Sequence, residues 1–511
     1  MGSLKANFDF CLVPMTQSKF RRRKEDKKKS KAPNPNASKY ISFQPYLCRQ
    51  KPKSSSSTYG YKITGDIKVI KNTLEFNGFK ERKSNWVLFW GNGGLRSNVY
   101  ASLSRWQKVN HFPRSHEITK KDSLFKNLAK MQSLHGARHF DFIPETYVLP
   151  NDKAALEEAM RYSSEKWIFK PAAKSQGKGI FVSCNSESIP SSHYVASKYI
   201  DNPLLINSLK FDLRIYAVIT SIDPLRIYVY KEGLVRFATA EYKKGELSNR
   251  FMHLTNYSVN KLSPCFRVSS TGQEGHKWTL EALKKYFQER NTDFLPIWSR
   301  IKEIIVKTII SIENKMYTGA KMFVPYRTNC FELLGFDILL DDSYKPWLLE
   351  VNLSPSLNVD SPVDLNTKAH LVCDMLNLIG ITYPNRSKTP KRRPSAKPAW
   401  DSCTLVQKET KFTPHELSVL RETEEELKRA HNFERVFPSE FSHMYRNFFE
   451  EERNLNLIVC GEWGRAKRCP NKDNLSAFQG NAYAESFRPL TKGALRHYRT
   501  SAQFKRFFDK K

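Results

Sequence analysis

The stretch that decides the fold, Phe331–Leu357, reads FELLGFDILLDDSYKPWLLEVNLSPSL. It contains two short apolar runs, Leu333–Leu340 and Trp347–Val351, on either side of the polar residues DDSYKP. Two apolar runs around a polar turn that ends in proline are typical of a β-hairpin. We therefore expect two adjacent antiparallel strands joined by a tight turn centred on Ser343-Tyr344.

Three oxygen-bearing side chains interrupt these strands: Asp337 in the first, and Glu350 and Asn352 in the second. Since side chains alternate along a strand, Glu350 and Asn352 share a face, and the tight turn would place Glu350 opposite Asp337. Two buried carboxylates that face each other are unfavourable unless a cation lies between them, and Mg²⁺ is commonly held by such carboxylates together with substrate phosphates. The hairpin thus predicts a magnesium site. The alternative is a solvated rim of the sheet with ordinary acids, which the apolar flanking residues disfavour.

Composition limits the class of protein. The chain has 511 residues, 40% of them hydrophobic, and a formal net charge of +33 with a pI near 9.7. Such a charge predicts a polyanionic partner (nucleic acid, an anionic membrane or an acidic protein), unless it lies mainly in disordered tails and serves solubility. The nine cysteines include no C-x-x-C pair, which argues against a zinc module or a disulfide framework. No apolar run reaches transmembrane length and no secretion signal is evident, so we expect a reducing compartment.

Basic residues are concentrated outside the central part of the chain. Residues 1–58 carry fourteen Lys or Arg and three acids, and residues 386–397 carry six basic residues, two prolines and no acid. Thr413-Pro414-His415-Glu416 has the form of a helix capping box. These features predict a disordered basic arm at 1–58, a globular core at 59–385, a basic linker at 386–411, a helical extension at 412–460 and a basic tail at 461–511.

Helices and strands follow one another irregularly within the core. Hydrophobic periodicity predicts an antiparallel meander over Phe211–Thr220, Leu225–Tyr230 and Val235–Thr239, with turns at Asp223-Pro224 and Glu232-Gly233. This order lacks the regular strand–helix alternation of a doubly wound sheet, so the fold class is α+β. Helices are expected at Lys121–Leu134, Asp152–Glu165, Trp278–Phe287, Ile297–Ile312 and Asn366–Leu378.

A second candidate site is the loop KPAAKSQGKGI, residues Lys170–Ile180. Glycines allow backbone N–H groups to approach phosphate oxygens, and lysines neutralise the phosphate charge. The loop lacks the spacing of a Walker A motif and its following helix. Alone it indicates a phosphate-binding loop no better than a plain basic hairpin, but together with the acidic hairpin it favours a nucleotide site.

Two polar clusters belong to the same part of the chain. In KFDLR, the residues Lys210, Asp212 and Arg214 share one face of a strand, where the alternative to a binding role is a face of cross-strand ion pairs. The run HLTNYS, residues 253–258, is polar although its surroundings are apolar. We interpret His253 as a structural histidine with satisfied hydrogen bonds and not as a catalytic base.

The motifs KPAAKSQGKGI, KFDLR, HLTNYS and GFDILL…KPWLLEVNLSPSL, in this order, resemble the tubulin tyrosine ligase-like family. The likeness is greatest to its polyglutamylase branch, the type-four member in particular. It covers about Trp86 to Ile381 and extends more loosely over Thr413–Asn456. The resemblance implies an ATP-grasp fold, in which two α+β lobes hold ATP, with a small N-terminal α/β domain and a helical C-terminal extension. The N-terminal domain would be 59–150, the central lobe 151–208 and the C-terminal lobe with the magnesium site 209–385.

The resemblance also implies roles for individual residues. Arg214 would face the transferred phosphoryl group, and Lys170 would act with it in catalysis. Asp337, Glu350 and Asn352 would hold Mg²⁺. The ATP-binding residues would be Lys170, Gln176, Gly177, Lys178, Gly179, Lys198, Tyr199, Ile200, Asp201, Lys210, Phe211, Asp212, Thr255 and Asn256. The residues binding free L-glutamate would be Arg236, Tyr257, Ser258, Lys277 and Lys368.

Two positions, Gln176 and Leu353, would contact the acceptor protein. They favour different activities, elongation of a glutamate chain and initiation of a branch. Family members that extend a glutamate chain tend to have Gln at the position of Gln176, whereas those that begin a branch tend to have an apolar residue at the position of Leu353. Both initiation and elongation therefore remain open.

The implied activity is an ATP- and Mg²⁺-dependent ligation of glutamate to γ-carboxylates in acidic protein tails, foremost the C-terminal tails of tubulin. Other acidic proteins are further candidate acceptors, and neither a membrane nor nucleic acid is an expected partner. The implied location is the cytoplasm and its microtubules, with cilia, basal bodies and a nuclear fraction left open. Two alternatives are a relative that adds glycine or tyrosine, and an inactive ATP-grasp protein that serves as a basic microtubule- or nucleic-acid-binding module.

Overall fold

The computed structural model describes residues 40–48, 50, 52, 59–382 and 412–466, with side chains up to residue 461. The first part is a four-stranded parallel sheet with strand order β2-β1-β3-β4, flanked by helices. Its elements are β1 (Tyr59–Ile63), α1 (Lys68–Phe76), β2 (Phe79–Glu81), β3 (Trp86–Trp90), α2 (Ser97–Ala101), β4 (Lys108–Val109), α3 (His116–Thr119) and α4 (Lys121–His135).

The second part is a four-stranded antiparallel sheet with strand order β5-β8-β6-β7. One helix, α5, packs on it through Leu156 and Met160, which share a cluster with Trp167 and Phe169. The strand β5 lies before residue 150, where the sequence predicted a domain boundary, and pairs with β8. The elements are β5 (Thr146–Val148), α5 (Lys153–Arg161), β6 (Trp167–Pro171), β7 (Phe181–Ser183) and β8 (Tyr194–Lys198).

The third part is a seven-stranded sheet covered by helices. Its elements up to residue 382 are β9 (Leu205–Ile206), β10 (Leu209–Ile222), β11 (Leu225–Phe237), α6 (Arg250–His253), α7 (Tyr257–Asn260), β12 (Lys277–Thr279), α8 (Leu280–Gln288), α9 (Leu295–Ile310), α10 (Glu313–Phe323), β13 (Glu332–Leu340), β14 (Pro346–Asn352) and α11 (Pro362–Ile379). The C-terminal elements are α12 (Pro414–Leu427), β15 (Phe433–Phe437) and α13 (Asn454–Ala466). The strand order is β12-β11-β10-β13-β14, with β9 paired to β10 and β15 to β11. This mixture of sheets and helices agrees with the predicted α+β class.

The long central strand β10 is buried on both faces. Ile215, Ala217 and Ile219 pack in one core with residues of α9. Tyr216 and Val218, which point to the opposite face, pack in a second core with residues of α11 and α1. Because side chains alternate along a strand, the polar residues at even positions nearer the start of β10 lie on the face of α11. That face becomes the candidate active site.

The C-terminal segment contributes a strand as well as helices. Its strand β15 pairs antiparallel with β11, so the predicted helical extension includes an edge strand of the main sheet. The capping box at Thr413 is confirmed, with its hydroxyl accepting from the Glu416 N–H and the Glu416 side chain accepting from the Thr413 N–H. Helix α12 is attached to the sheet through Arg226, whose side chain is 1% exposed and lies 2.8 Å from Glu422 and 3.3 Å from Glu426.

Two predictions about the chain path were wrong. The predicted turn at Glu232-Gly233 does not exist, because β11 runs unbroken from Leu225 to Phe237 and accommodates extra residues in a bulge opposite Tyr216. Residues 40–44, assigned by composition to the disordered arm, instead pack on α11. The Ile41 N–H donates to the Ile381 carbonyl at 2.8 Å, and the Phe43 N–H donates to the Asn377 side chain at 2.8 Å.

The helices also differ from expectation in detail. The helix predicted to begin at Trp278 begins at Leu280, because Lys277–Thr279 first pairs with β11 as β12. The helix predicted to reach Glu165 ends at Arg161. Within the described ranges, none of the helices is both long and apolar enough to cross a membrane.

We expect Arg226→Met to destabilise the fold strongly. The substitution removes the arginine that contacts the buried Glu426 at 3.3 Å and leaves the half-buried Glu422 with its contact to Arg327. Loss of one partner of a buried ion pair costs about 3–5 kcal/mol. Chemical denaturation would measure the change in free energy of unfolding. The control is Lys71→Met, which removes an exposed pair with Glu81 at 3.9 Å and should change stability by less than about 1 kcal/mol. Equal effects of the two substitutions would contradict the anchoring role of Arg226.

Candidate active site

The acidic hairpin forms as β13 and β14, and Asp337 pairs with Glu350 as predicted. The turn alone does not set this pairing. Next to the turn, Ile338 pairs with Leu348, a register that would bring Asp337 opposite Leu349. A β-bulge between Asp337 and Ile338 shifts the register by one residue. Since a one-residue shift exchanges the two faces of a strand, this bulge is what turns Glu350 toward the face of Asp337.

Asp337 is held by two arginines from neighbouring strands. Arg214 on β10 donates to both of its oxygens, at 2.5 Å from Nε and 3.0 Å from Nη2. Arg236 on β11 lies 2.8 Å from the second oxygen and also binds Asp212 through two contacts of 2.7 and 2.5 Å. Burial alone would raise the pKa of Asp337, but the charges of Arg214 and Arg236 outweigh it and keep this pKa well below its usual range. Two arginines and two aspartates thus form a quartet whose formal charges balance.

Glycine at position 335 makes room for this quartet. A Cβ at Gly335 would lie 2.7 Å from the Cβ of Pro355 and 3.2 Å from the Cδ of Arg214. The side chain of Arg214 therefore passes over Gly335, which stands two residues before Asp337 on β13. Any larger residue at position 335 would contact the arginine.

The loop after β6 has the backbone of an anion-binding loop. Gln176, Gly177 and Gly179 all have positive φ, at 61°, 74° and 74°. A Cβ at Gly177 would meet Val259 at 2.7 Å, so the loop lies close against α7. The Ser258 hydroxyl donates to the Gln176 carbonyl at 2.9 Å. Successive backbone N–H groups in such conformations form concavities that bind anions.

Two buried lysines face the same cavity. Burial lowers the pKa of Lys170 to about 8, although Glu350 opposes the shift. Burial, followed by the neighbouring charge of Lys170, lowers the pKa of Lys210 to about 7. Two such cations in one cavity are more stable when an anion lies between them. The pair therefore favours a polyanionic ligand.

His253 is structural, as its surroundings predicted, but it belongs to a chain that reaches the cavity. Its Nε2 donates to the Glu246 carbonyl at 2.8 Å, so its Nδ1 accepts from the Tyr199 hydroxyl at 2.7 Å. The Tyr199 oxygen in turn accepts from Lys210 at 3.0 Å. Burial lowers the pKa of His253, which keeps it neutral and able to accept this hydrogen bond. The chain fixes the position of Lys210.

A third group of charges lies next to the arginine quartet. Lys277 on β12, the register partner of Arg236, donates to Asp364 at 2.6 Å. Lys368, one turn further along α11, contacts the other oxygen of Asp364 at 2.8 Å. The Lys277 ammonium also lies 4.5 Å from the centre of the Tyr257 ring.

Most of the sequence-predicted residues meet in or beside one cavity. Arg214, Arg236, Lys277 and Lys368 form a contiguous charged region next to its floor at Asp337. Two predicted residues lie elsewhere: the Phe211 ring packs in the core against Phe237, and Asp201 binds Lys166 at 2.8 Å. The predicted residues among those that line the cavity are Lys170, Gln176, Gly177, Lys178, Lys198, Tyr199, Ile200, Lys210, Asp212, Thr255, Asn256, Asp337 and Glu350.

Sequence reasoning missed two residues of this region. Lys121, at the start of α4, lies 3.7 Å from Glu350 and donates to the Lys174 carbonyl at 3.0 Å. It is distant in sequence from every motif, so no local pattern could identify it. Asp364 left a weak signal, since it stands four residues before Lys368 on a helix, at the spacing of an ion pair.

The hairpin residues provide a donor set that suits Mg²⁺. Among the described residues, no three His, Cys, Asp or Glu side chains come together, so Asn352 would have to supply the third ligand. Its amide nitrogen donates to Glu350 at 3.3 Å, which leaves its oxygen available as a ligand. Asp337 accepts three arginine contacts and retains capacity for one more, since a carboxylate has about four lone-pair sites. Hard oxygen donors of this kind are those that Mg²⁺ prefers.

Comparison with known proteins gives the same assignment as the motifs. The model of the tubulin-tyrosine ligase family matches residues 100–390. The chain belongs to this family. It is 40% identical to tubulin polyglutamylase TTLL5 of Mus musculus over an alignment 444 residues long, which covers 78% of this chain and 33% of that protein.

Other family members show similar identity. Tubulin monoglutamylase TTLL4 of Mus musculus is 39% identical over 436 residues, 76% of this chain and 36% of that protein. Tubulin polyglutamylase ttll-4 of Caenorhabditis elegans is 36% identical over 422 residues, 76% of this chain and 69% of that protein. The chain thus spans about a third of the length of the two mouse family members.

We expect Gly335→Ala to disturb this site from within the sheet. The added methyl group must displace Pro355 or Arg214, and such overpacking costs about 1–3 kcal/mol. Chemical denaturation would measure the change. The matched control is Gly93→Ala, where nothing lies within 4 Å of the added Cβ, so stability should change by no more than about 0.5 kcal/mol. A Gly335→Ala protein as stable as the control would mean that Arg214 does not depend on this close approach.

Proposed function

We propose that the protein is an ATP- and Mg²⁺-dependent ligase that joins glutamate, through isopeptide bonds, to γ-carboxylates of glutamates in acidic protein tails, foremost those of tubulin. The observation that carries the proposal is a single cavity lined by Lys170, Lys210, Asp337 and Glu350 together with the glycine loop. A cavity with cations on one wall and carboxylates on the other suits a nucleotide phosphate chain together with its metal. The names of the three relatives compared above, two tubulin polyglutamylases and one tubulin monoglutamylase, support the acceptor class.

The fold supports an ATP-grasp interpretation. The antiparallel sheet of β5–β8 carries the glycine loop, and the seven-stranded sheet carries the acidic hairpin. In the proposed assignment these are the central and C-terminal lobes, and ATP binds between Lys170 and Lys210. Asp337, Glu350 and Asn352 would hold Mg²⁺, which supplies charge neutralisation at the phosphates when bound.

The reaction would proceed in two transfers. A carboxylate oxygen of the acceptor attacks the γ-phosphorus of ATP, and ADP leaves, which gives an acyl phosphate. The uncharged amine of free glutamate then attacks the acyl carbon, phosphate leaves with the C–O bonding pair, and the amine loses its proton. In this scheme Lys170 and Arg214 stabilise charge on the transferred phosphoryl group, because positioning and electrostatic stabilisation dominate phosphoryl transfer.

Free glutamate would bind beside Arg236, Lys277, Lys368, Tyr257 and Ser258. Arg236 cannot act there as a free cation, since Asp212 and Asp337 both bind it. It would therefore orient the site, while the two lysines would meet the substrate carboxylates. Gln176 is an exposed residue of the glycine loop, and Leu353 directly follows β14. In this proposal both residues contact the acceptor chain.

The net charge of +33 suits an acceptor rich in glutamate, because opposite charges on the two partners speed their encounter. In this proposal the protein acts in the cytoplasm at the microtubule surface. Other acidic proteins would be attracted by the same charge.

The decisive experiment incubates the protein with ATP, Mg²⁺, microtubules and equal concentrations of labelled glutamate, glycine and tyrosine. We expect tail masses that show addition of glutamate alone. Glu350→Gln should lower transfer by about 10²-fold or more with folding intact, because it removes a charge that faces the metal and phosphates. The control is Glu187→Gln, an exposed acid in the turn Ser186–Ser188.

Each outcome of this experiment has a separate meaning. Addition of glycine or tyrosine in place of glutamate would refute the substrate assignment. Near-normal turnover by Glu350→Gln would refute the magnesium site on the hairpin.

We expect ATP affinity to fall as the pH rises through about 8. The pKa of Lys170 is lowered from 10.5 to about 8, so its ammonium is present below pH 8 and lost above it. Since phosphates bind the charged form, the dissociation constant should rise by up to about tenfold per pH unit above pH 8. Calorimetric titration with a non-hydrolysable ATP analogue at pH 7.0 to 9.5 would measure it. Lys170→Arg should lower the slope above pH 8 by up to about one order of magnitude per pH unit, because guanidinium stays charged, and should leave the slope that comes from Lys210, whose pKa burial lowers to about 7. A slope unchanged in this variant would assign it to groups other than Lys170.

A further inference from the structure

Three buried ionisable side chains, two from α11 and one from β12, are in contact at the start of α11. Asp364 is 0% exposed, Lys277 6% and Lys368 4%. One oxygen of Asp364 accepts from Lys277 at 2.6 Å, and the other lies 2.8 Å from Lys368. One carboxylate thus holds two ammonium groups that come from different elements, β12 and α11.

The charges of this cluster do not balance. In the adjacent quartet, Arg214 and Arg236 are matched by Asp212 and Asp337. Within the described part of the chain, the ion pairs of both lysines are to the one carboxylate of Asp364, so the formal charge of these three contacting groups is +1. An unmatched buried charge is strongly unfavourable and points to an anionic partner. A single carboxylate group is the ligand whose charge completes the cluster.

We propose that Asp364 is a positioning residue that holds Lys277 and Lys368 side by side as a receptor for one carboxylate of the amino-acid substrate. This inference rests on the proposed function and deepens it. The Lys277 ammonium is also fixed by the Tyr257 ring, and Lys368 by a hydrogen bond of 2.5 Å to the Asn358 carbonyl. Each lysine therefore has one further fixed contact and retains N–H groups for a ligand, since an ammonium has three donors.

Asp364 also has a structural role that the test must separate. It lies at the start of α11, where its N–H donates to the Ser361 hydroxyl at 3.2 Å and its carboxylate accepts from that hydroxyl at 2.9 Å. An acidic residue in the first turn of a helix stabilises the helix by itself. A loss of stability in an Asp364 variant would therefore say nothing about the substrate.

The informative variant is Asp364→Asn, which keeps the size and one oxygen acceptor but removes the charge. Without the carboxylate the two ammonium groups repel each other, and one turns away or loses its proton. We expect the KM for glutamate to rise roughly ten- to a hundredfold at pH 8, with kcat within about threefold of wild type and the KM for ATP unchanged.

The pH dependence gives a readout that a structural role would not change. The ratio of glutamate KM between Asp364→Asn and wild type should increase from pH 6.5 to 9.0, because burial lowers the pKa of Lys368 and the variant lacks the Asp364 carboxylate that opposes this shift. The charged and titratable groups around the cluster are Arg214, Arg236, Asp360, Tyr257 and Tyr216. Against the effect of burial, the carboxylates that bind the two arginines raise the pKa of each arginine, and burial raises the pKa of Tyr257 and takes that of Tyr216 to about 12. Titration of Lys170 and Lys210 cancels in the ratio.

Two controls match the structural effects. Ser361→Ala removes the cap of α11 but leaves the carboxylate, so it should lower thermal stability with a pH-independent KM ratio. Asp374→Asn alters another buried acid of α11, which binds Asn432 at 2.8 Å, and should leave the glutamate KM unchanged.

The outcomes separate the two proposals. If wild type ligates glutamate and Asp364→Asn keeps a normal KM at every pH, the role of Asp364 is wrong and the proposed function stands. If both Asp364→Asn and Ser361→Ala raise KM equally without pH dependence, Asp364 acts only through the helix. If wild type does not use glutamate, the proposed function fails, and this inference fails with it.

Discussion

The site depends on a single carboxylate shared between two arginines. Asp337 on β13 binds Arg214 on β10 and Arg236 on β11, so one side chain joins three adjacent strands of the main sheet. Because all three groups are buried, removal of any one leaves an unmatched charge at a cost of about 3–5 kcal/mol. The quartet therefore fixes the relative positions of the acidic hairpin and of Lys277 and Lys368 on either side of it.

The main sheet serves two purposes along the same strands. On β10, the residues Tyr216 and Val218 form core, whereas Asp212 and Arg214 on the same face form the site. Every second residue of β10 points to this face. These residues are apolar where α11 covers the strand, and polar where the strand reaches the cavity. A site built on long, paired strands holds its side chains more precisely than a site on loops.

Three charged groups of this region differ in how much of their positive charge is matched by carboxylates. The arginine quartet is balanced within itself. The cluster of Lys277, Lys368 and Asp364 lacks one negative charge, and the facing lysines Lys170 and Lys210 have their pKa values lowered to about 8 and about 7. A polyphosphate at the lysine pair and a carboxylate at the cluster would satisfy both. The electrostatics thus suit two different anionic substrates held next to each other, as a ligase requires.

The sequence by itself determined the α+β class, the acidic hairpin and the glycine loop, because each depends on local pattern: alternation along strands, glycines in a loop and polar residues inside apolar runs. Most of the other predicted cavity residues followed from the resemblance to the family. Tertiary structure decided the rest. The face toward which Glu350 points is set by a bulge that no turn rule predicts, and the neutralisation of Arg236 depends on strand neighbours far apart in the chain. Lys121 lies beside Glu350 although 229 positions separate them, and Asp364 contacts a lysine 87 positions earlier. Pairings of buried charges are long-range, and a local pattern shows that a charge is present without showing which charge it meets.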